Sequence, residues 1–329
     1  MTDWKLPFRR YTGDELFILD EEKKEPIVEG ILMHNDYTLL VAKEKVGKSI
    51  LALQLGCSIS SGHPFLDTFA VSKPQRVWYF ATEGKDEDTK ERIINMSKKV
   101  PIDKDKFLLI CSAGFRFNST SGEKYVRYLL TEYKEVLPRV IIVDALYMAI
   151  EGSLKDDEAV NSFNYSLRRF AEVCDAAVVI VHHSRRPVIL DGKIASMGDD
   201  DIYGSAFLKA SVDHCFYMAL IQGGTNRSLK CSTQRSGNIV EDMTLELHEP
   251  SPLYFSIADT YYEHREGIKQ LLERTPGGLT IKGLMKKSTH SRATIYRILN
   301  SFEDGVIKTQ TRPVIYLLKN AGGAASGCV

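Results

Sequence analysis

Cysteine is sparse and solitary in this chain. Cys57, Cys111, Cys174, Cys215, Cys231 and Cys328 stand singly, with no C-x-x-C pair and no metal-like spacing. That excludes a disulfide scaffold and a zinc module, and it reads as small buried hydrophobes in a reducing compartment. Net charge is absent too, with 43 Lys and Arg against 43 Asp and Glu. No run approaches the ~18 apolar residues of a membrane helix. The opening segment, MTDWKLPFRR, has no apolar stretch of the kind a secretory signal needs. No internal repeat is visible, which argues against a solenoid. These absences predict a soluble, cytoplasmic protein with no membrane partner. At 329 residues and 43% hydrophobic composition, the chain can bury one large core and a second small one.

The balanced charge is unevenly distributed. Residues 262–320 carry 11 Lys and Arg against 5 Asp and Glu, a net of +6, which leaves the remainder at −6. A basic terminal segment on an acidic body points to nucleic acid. Ahead of it, short apolar runs alternate with amphipathic segments. Tyr37–Ala42, Val77–Ala81, Phe107–Cys111, Val140–Val143 and Ala177–Val181 read as strands. Helical patterns cover Asp86–Lys99, Lys124–Val136 and Asp156–Val173. Because the runs are continuously apolar, the strands are expected to be buried on both faces, as in a parallel sheet covered by helices. Beyond Tyr203 the pattern reads as antiparallel, over Val212–Leu220, Ser228–Arg235 and Met243–His248. The expected division is a domain over 1–250, a linker over 251–261, a small domain over 262–320 and a tail over 321–329.

Chemistry-bearing residues sit where these strands end. Ala42-Lys43-Glu44-Lys45-Val46-Gly47-Lys48-Ser49, running on to Ile50, leaves one strand and opens a helix in the manner of a P-loop, or Walker A, pattern, with Ala42 in place of its first glycine. Backbone N–H groups there can wrap phosphate oxygens, Lys48 can reach the β- and γ-phosphates, and Ser49 can ligate Mg²⁺. Asp144 closes a run of four β-formers, at the edge where open α/β sheets bind ligands, and can hold Mg²⁺ through its water shell. Glu83, in Ala81-Thr82-Glu83-Gly84, is placed to act as general base toward an attacking water. His182-His183-Ser184 ends another strand. The strand's continuation favours His182 as the γ-phosphate sensor, with His183 left open.

The order of these elements resembles the RecA-like ATPases, and most closely the family of the plasmid replicative helicase RepA. The resemblance spans roughly residues 25–248. It rests on the phosphate loop, Ala81-Thr-Glu-Gly84, Val143-Asp144-Ala-Leu146, His182-His-Ser-Arg185, and Tyr203-Gly-Ser-Ala206 through Asp213. It implies an α/β RecA-like P-loop core with a mostly parallel sheet, flanking helices and an antiparallel extension. It also implies ATP and Mg²⁺ as cofactors, assembly into a ring of six, and a cation lent by a neighbouring subunit. Cys231-Ser-Thr-Gln-Arg235-Ser-Gly237 resembles the strand of ring helicases that presents a Lys-x-Arg pair, with Thr233 in the Lys position. Arg235 is therefore the expected finger, with Lys209 a competitor. In such rings the loop after the His strand lines a channel for single-stranded DNA, which nominates Arg185, Arg186 and Lys193. The three consecutive acids Asp199 to Asp201 count against the whole loop facing DNA.

The tail reads as a helix over Glu263–Glu273, a second over Thr280–Lys287 with Thr280 as N-cap, and a third over Ser291–Phe302. A hairpin with a basic tip follows from Val306 to Leu318. Ile268, Leu271, Leu272, Ile295, Ile298, Leu299 and Phe302 form the expected core. The arrangement resembles the winged helix-turn-helix domains of DNA-binding regulators. That likeness puts Arg292, Thr294 and Arg297 on duplex DNA. The whole reads as a Mg²⁺-dependent ATPase driving DNA translocation and unwinding, the replicative helicase of a mobile element. Two alternatives stand beside it: an ATPase switch or loader that does not unwind, and a DNA-binding regulator controlled by ATP.

Overall fold

A computed structural model describes residues 12–13, 25–112, 114–184, 189–190, 193–194, 204, 206–221, 225–235, 242–258, 260–288, 295–296, 298–299, 302, 306–309 and 314–318. The chain divides into two units, 1–257 and 258–329. The first begins with a hairpin of β1 (Pro26–Val28) and β2 (Leu32–Met33). Strand and helix then alternate: β3 (Tyr37–Ala42), α1 (Lys48–Ser61), β4 (Val77–Ala81), α2 (Asp86–Met96), β5 (Phe107–Cys111), α3 (Thr120–Glu132) and β6 (Val140–Asp144). After it come α4 (Leu146–Ala149), α5 (Asp157–Cys174), β7 (Ala177–His183), and the short pair β8 (Ile189–Leu190) and β9 (Lys193–Ile194). The unit closes with α6 (Ala206–Ala210), β10 (His214–Leu220), β11 (Arg227–Gln234), β12 (Met243–His248) and β13 (Tyr254–Ile257).

Among the described residues, nine strands make one sheet in the order β13-β12-β11-β10-β3-β7-β6-β4-β5. From β10 to β5 all neighbours are parallel, and β11, β12 and β13 extend the sheet antiparallel. Alternation along each strand feeds two cores. Leu40, Ala42, Tyr79, Ile142 and Val179 pack on one face with Leu51, Leu53 and Leu55 of α1. Leu39, Val41, Phe80, Ile141, Val143 and Ile180 pack on the other with Phe163, Leu167 and Phe170 of α5. With both faces covered, strand residues must be apolar at every position, which is why the runs are continuous.

Three boundaries differ from the sequence reading. β10 is parallel to β3, with His214 opposite Thr38 and Met218 opposite Ala42, so the antiparallel part starts only at β11. Five successive buried residues in β10 carry the two-face burial of a parallel strand. Helix α3 starts at Thr120, four residues before the expected Lys124, because the Ser119 side chain accepts from the Gly122 N–H at 3.0 Å and caps it. Residues 254–257, read as linker, form β13. Its anchor is Gln54 of α1, whose side chain donates to the Phe255 carbonyl at 2.8 Å and accepts from the Phe255 N–H at 2.6 Å.

The second unit has its own small core, of Ile268, Leu272, Leu284, Ile295, Ile298, Leu299, Phe302 and Tyr316. It contains α7 (Thr260–Glu273), α8 (Ile281–Lys287) and an antiparallel pair, β14 (Val306–Lys308) and β15 (Tyr316–Leu318). Thr280 caps α8 as expected, its hydroxyl accepting from the Gly283 N–H at 3.0 Å. Residues 295–296 and 298–299 are helical. Among the described residues, no helix is long and apolar enough to cross a membrane.

Replacing Gln54 with Leu leaves a buried N–H and a buried C=O of Phe255 without their partner. Each such orphan costs about 1–3 kcal/mol, so Gln54→Leu is expected to lower the stability of the first unit by roughly 2–6 kcal/mol. Urea unfolding followed by tryptophan fluorescence reads this directly, since Trp78 lies in the same unit.

Candidate functional site

Parallel strands in register end at one edge. Ala42 lies opposite His183, and Ala81 opposite Asp144, so the segments after β3, β4, β6 and β7 meet there. The loop after β3 turns through left-handed backbone at Lys45 (φ 62°) and Gly47 (φ 108°) before α1 begins. At Gly47 a side chain is barred twice, by that backbone and by space: a Cβ would lie 2.7 Å from Cζ of Phe255. The Lys48 side chain is buried, and its Nζ donates to the Lys43 carbonyl at 3.4 Å. Burial holds the Lys48 ammonium below the usual lysine range, opposed by the charges of Asp144, Glu83 and Glu44.

Asp144 is buried at the end of β6. Ser49 Oγ donates to its Oδ1 at 3.1 Å, and the Tyr79 hydroxyl donates to its Oδ2 at 2.6 Å. Burial raises the Asp144 pKa above the ordinary carboxylate value, against the hydrogen bonds from Tyr79 and Ser49 and the Lys48 charge. Burial also raises the Tyr79 phenol, which therefore stays a donor. One carboxylate and one hydroxyl 3.1 Å apart, with room beside them, suit Mg²⁺, which takes few protein ligands and completes its shell with water and phosphate. Among the described residues, no group of three or more His, Cys, Asp and Glu side chains could hold a metal by itself.

Glu83 projects half-exposed from the turn after β4, with Oε2 3.9 Å from Nε2 of His183. Tyr147, just past Asp144, sets its ring edge-on to His183 with centroids 5.0 Å apart. Burial and then the bond to the Glu83 carboxylate raise the Tyr147 phenol. Burial and the nearby Lys48 charge lower His183 from its ordinary value, so it is neutral at neutral pH. Both of its ring nitrogens are buried without a hydrogen-bond partner among the described residues.

These groups line one cleft of about 440 Å³, walled by Glu44, Lys45, Gly47, Lys48, Ser49 and Ile50, with Tyr79, Glu83, Asp144 and His183. Of the remaining loop residues, Ala42 and Val46 are buried beneath it, and Lys43 supplies the carbonyl that holds Lys48. His182 is not in the cleft. It is fully buried in β7, because successive strand residues face opposite sides and only His183 turns toward Glu83. Arg235 is not there either. It follows β11 at the opposite edge of the sheet, where Nη2 donates to the Ala210 carbonyl at 3.2 Å. Lys193 lies in β9, paired with Leu190. Arg185, Arg186, Arg292, Thr294 and Arg297 fall outside the described residues. Sequence reasoning missed Tyr79, Tyr147, Thr89, Arg92 and Arg227, all bordering or facing the cleft. Only Tyr79 carried a signal, as the polar-tipped residue two before Ala81 on the same side of its strand.

The fold and cleft define an α/β protein with its cleft at the carboxyl edge of a parallel sheet, where a loop turned through Gly47 opens a helix. The chain belongs to the AAA domain family, whose model matches residues 14–187. No curated protein matches it in sequence. Among solved structures it is similar to an ATPase domain, with TM-score 0.54 and 14% identity over 75% of this chain and 95% of that one. It is similar also to a DnaB-like replicative helicase described with its interactions with primase, with TM-score 0.53 and 14% identity over 74% and 66%. At such identity the likeness shows the fold alone, an α/β sheet, mostly parallel, flanked by helices.

Because Asp144 is harder to ionise in the folded chain than in the unfolded one, its charge works against stability. The penalty is full at neutral pH and is lost as pH falls through the raised folded-state value; below the unfolded value of 3.8 the carboxyl is protonated in both states. Asp144→Asn is thus expected to raise the thermal midpoint of the nucleotide-free protein at pH 7, by roughly 2–4 °C for each ~1 kcal/mol relieved. The gain shrinks toward pH 4. Calorimetry of both proteins across that range checks the sign.

Proposed function

We propose that this chain hydrolyses ATP in a Mg²⁺-dependent reaction and uses the energy to translocate along and unwind DNA, as a hexameric replicative helicase of a mobile element. One observation carries the reading. Lys48, Ser49, Asp144, Glu83 and His183, which come from four separate segments of sequence, converge on a single cleft at the carboxyl edge of the sheet. Family membership and the likeness to helicase ATPase domains support it.

In this reading the 43–49 loop and Lys48 hold the phosphates. Ser49 and Asp144 would hold Mg²⁺, which when bound neutralises charge on the β- and γ-oxygens. Glu83 takes the proton of the attacking water, with Tyr147 bonded to its carboxylate. The unpartnered nitrogens of His183 are suited to a γ-phosphate oxygen. Arg235, remote from the cleft of its own subunit, would serve a neighbour's. The second unit, with its helices and antiparallel pair, supports a winged-helix reading. Arg292, Thr294 and Arg297 there, and Arg185, Arg186 and Lys193 in the first unit, are the proposed DNA contacts, on duplex and single strand respectively.

ATP turnover with and without single-stranded DNA tests this. Glu83→Gln is expected to keep nucleotide binding while turnover falls by about 10²–10⁴, and Lys48→Ala to lose both. Arg235→Ala is expected to lose turnover with affinity retained. Turnover indifferent to DNA would replace the motor by a non-unwinding switch, and absence of turnover in the wild type would refute the ATPase assignment.

A further inference from the structure

The antiparallel extension approaches the phosphate loop from outside the parallel sheet, and it does so through one cation. Arg227 opens β11. Its Nε donates to the Val46 carbonyl at 3.1 Å, and its Nη1 donates to the Thr225 carbonyl. The guanidinium stands over the Phe255 ring, 5.7 Å from the centroid. Phe255 is itself immobilised, fully buried and tied at both backbone groups to Gln54, with its ring against Gly47. Arg227 is thus held by a neighbouring carbonyl and by the aromatic face beneath it, and it presents Nε to the loop in a fixed direction.

That direction matters because of where the accepting carbonyl sits. In a trans peptide the C=O of residue 46 and the N–H of residue 47 point opposite ways, so fixing one fixes the other. Turning this peptide over changes ψ of Val46 and φ of Gly47, and a glycine has the least resistance to such a change. The Phe255 ring demands glycine at 47, and glycine makes this peptide the most easily inverted in the loop. Val46 is buried, so its carbonyl has little water to replace a lost donor.

We infer that Arg227 is a positioning residue for the phosphate loop, holding the Val46–Gly47 peptide in the one orientation that directs the Gly47 N–H away from the extension, for an anionic phosphate ligand. The inference rests on the nucleotide reading of the cleft. It assigns to the antiparallel extension a part in ligand affinity, where the sheet alone would need it only for packing.

The test uses the full chain as wild type, Arg227→Met, Arg227→Lys and Lys48→Ala. Binding of a slowly hydrolysed ATP analogue with Mg²⁺ is read by calorimetry, and amide hydrogen exchange across residues 43–49 by mass spectrometry without nucleotide. Arg227→Met is expected to weaken analogue binding about tenfold, to raise KM more than it lowers kcat, and to speed exchange across 43–49 in the empty protein. Arg227→Lys, which keeps a donor, is expected to fold and to recover part of the affinity, and it carries the test if the Met variant does not fold. Unchanged affinity and unchanged loop exchange in the variants would overturn the inference, as would a lowered thermal midpoint with affinity intact. A wild type that fails to bind the analogue would instead refute the nucleotide reading, while the exchange comparison still decides whether Arg227 orders the loop.

Discussion

A carboxylate taken out of water is the constraint around which the first unit is arranged. Asp144 ends a central strand with neighbours on both sides, and its side chain is largely buried where it borders the cleft. A buried charge of this kind survives only with donors and a counter-charge nearby. The donors come from β4 and the first turn of α1, and the counter-charge from Lys48. Each needs the strands to end in register, and register in turn needs the parallel pairing of β3, β7, β6 and β4. The α/β layering thus serves to bring four strand ends level, so that groups distant in sequence can share one low-dielectric pocket.

Much of this is legible in the residues, for a physical reason. Strands buried on both faces must be apolar throughout, so β3, β4, β6 and β7 announce themselves, and so does a carboxylate or lysine standing at the end of such a run. The same property hides phase. When every position is buried, the pattern no longer says which residue faces which side, and His182 and His183 separate only once the strand is built. β10 escapes a reading by its place in the chain, because its burial alone marks it as parallel. β13 is hidden because Pro250 and Pro252 stand just before a run of four residues that resembles a link. Its place depends on Gln54, and nothing local to either segment signals that pairing. Tyr147 and Arg227 are of the same kind: each has its meaning only through a partner that tertiary structure supplies.

Low sequence identity with a shared fold fits this picture. The pattern of burial and the few groups at strand ends are what the architecture requires, and many side chains satisfy the rest. The second unit obeys the same logic on a smaller scale, with its helices and strand pair gathered around a separate apolar cluster and Thr280 setting where one helix begins.

The reciprocal bonds between Gln54 and Phe255 join residues 201 positions apart. Contacts of such long range form late, because the chain must close a large loop before they reward it. On the ribosome, α1 emerges well before the strand that packs on it, and an incomplete chain leaves Gln54 polar and unanswered in an apolar surround. Ligand competence is therefore a property of the finished unit and not of the segment that bears the motif. The 42–49 loop is among the first parts of the sheet to be synthesised and among the last to be completed.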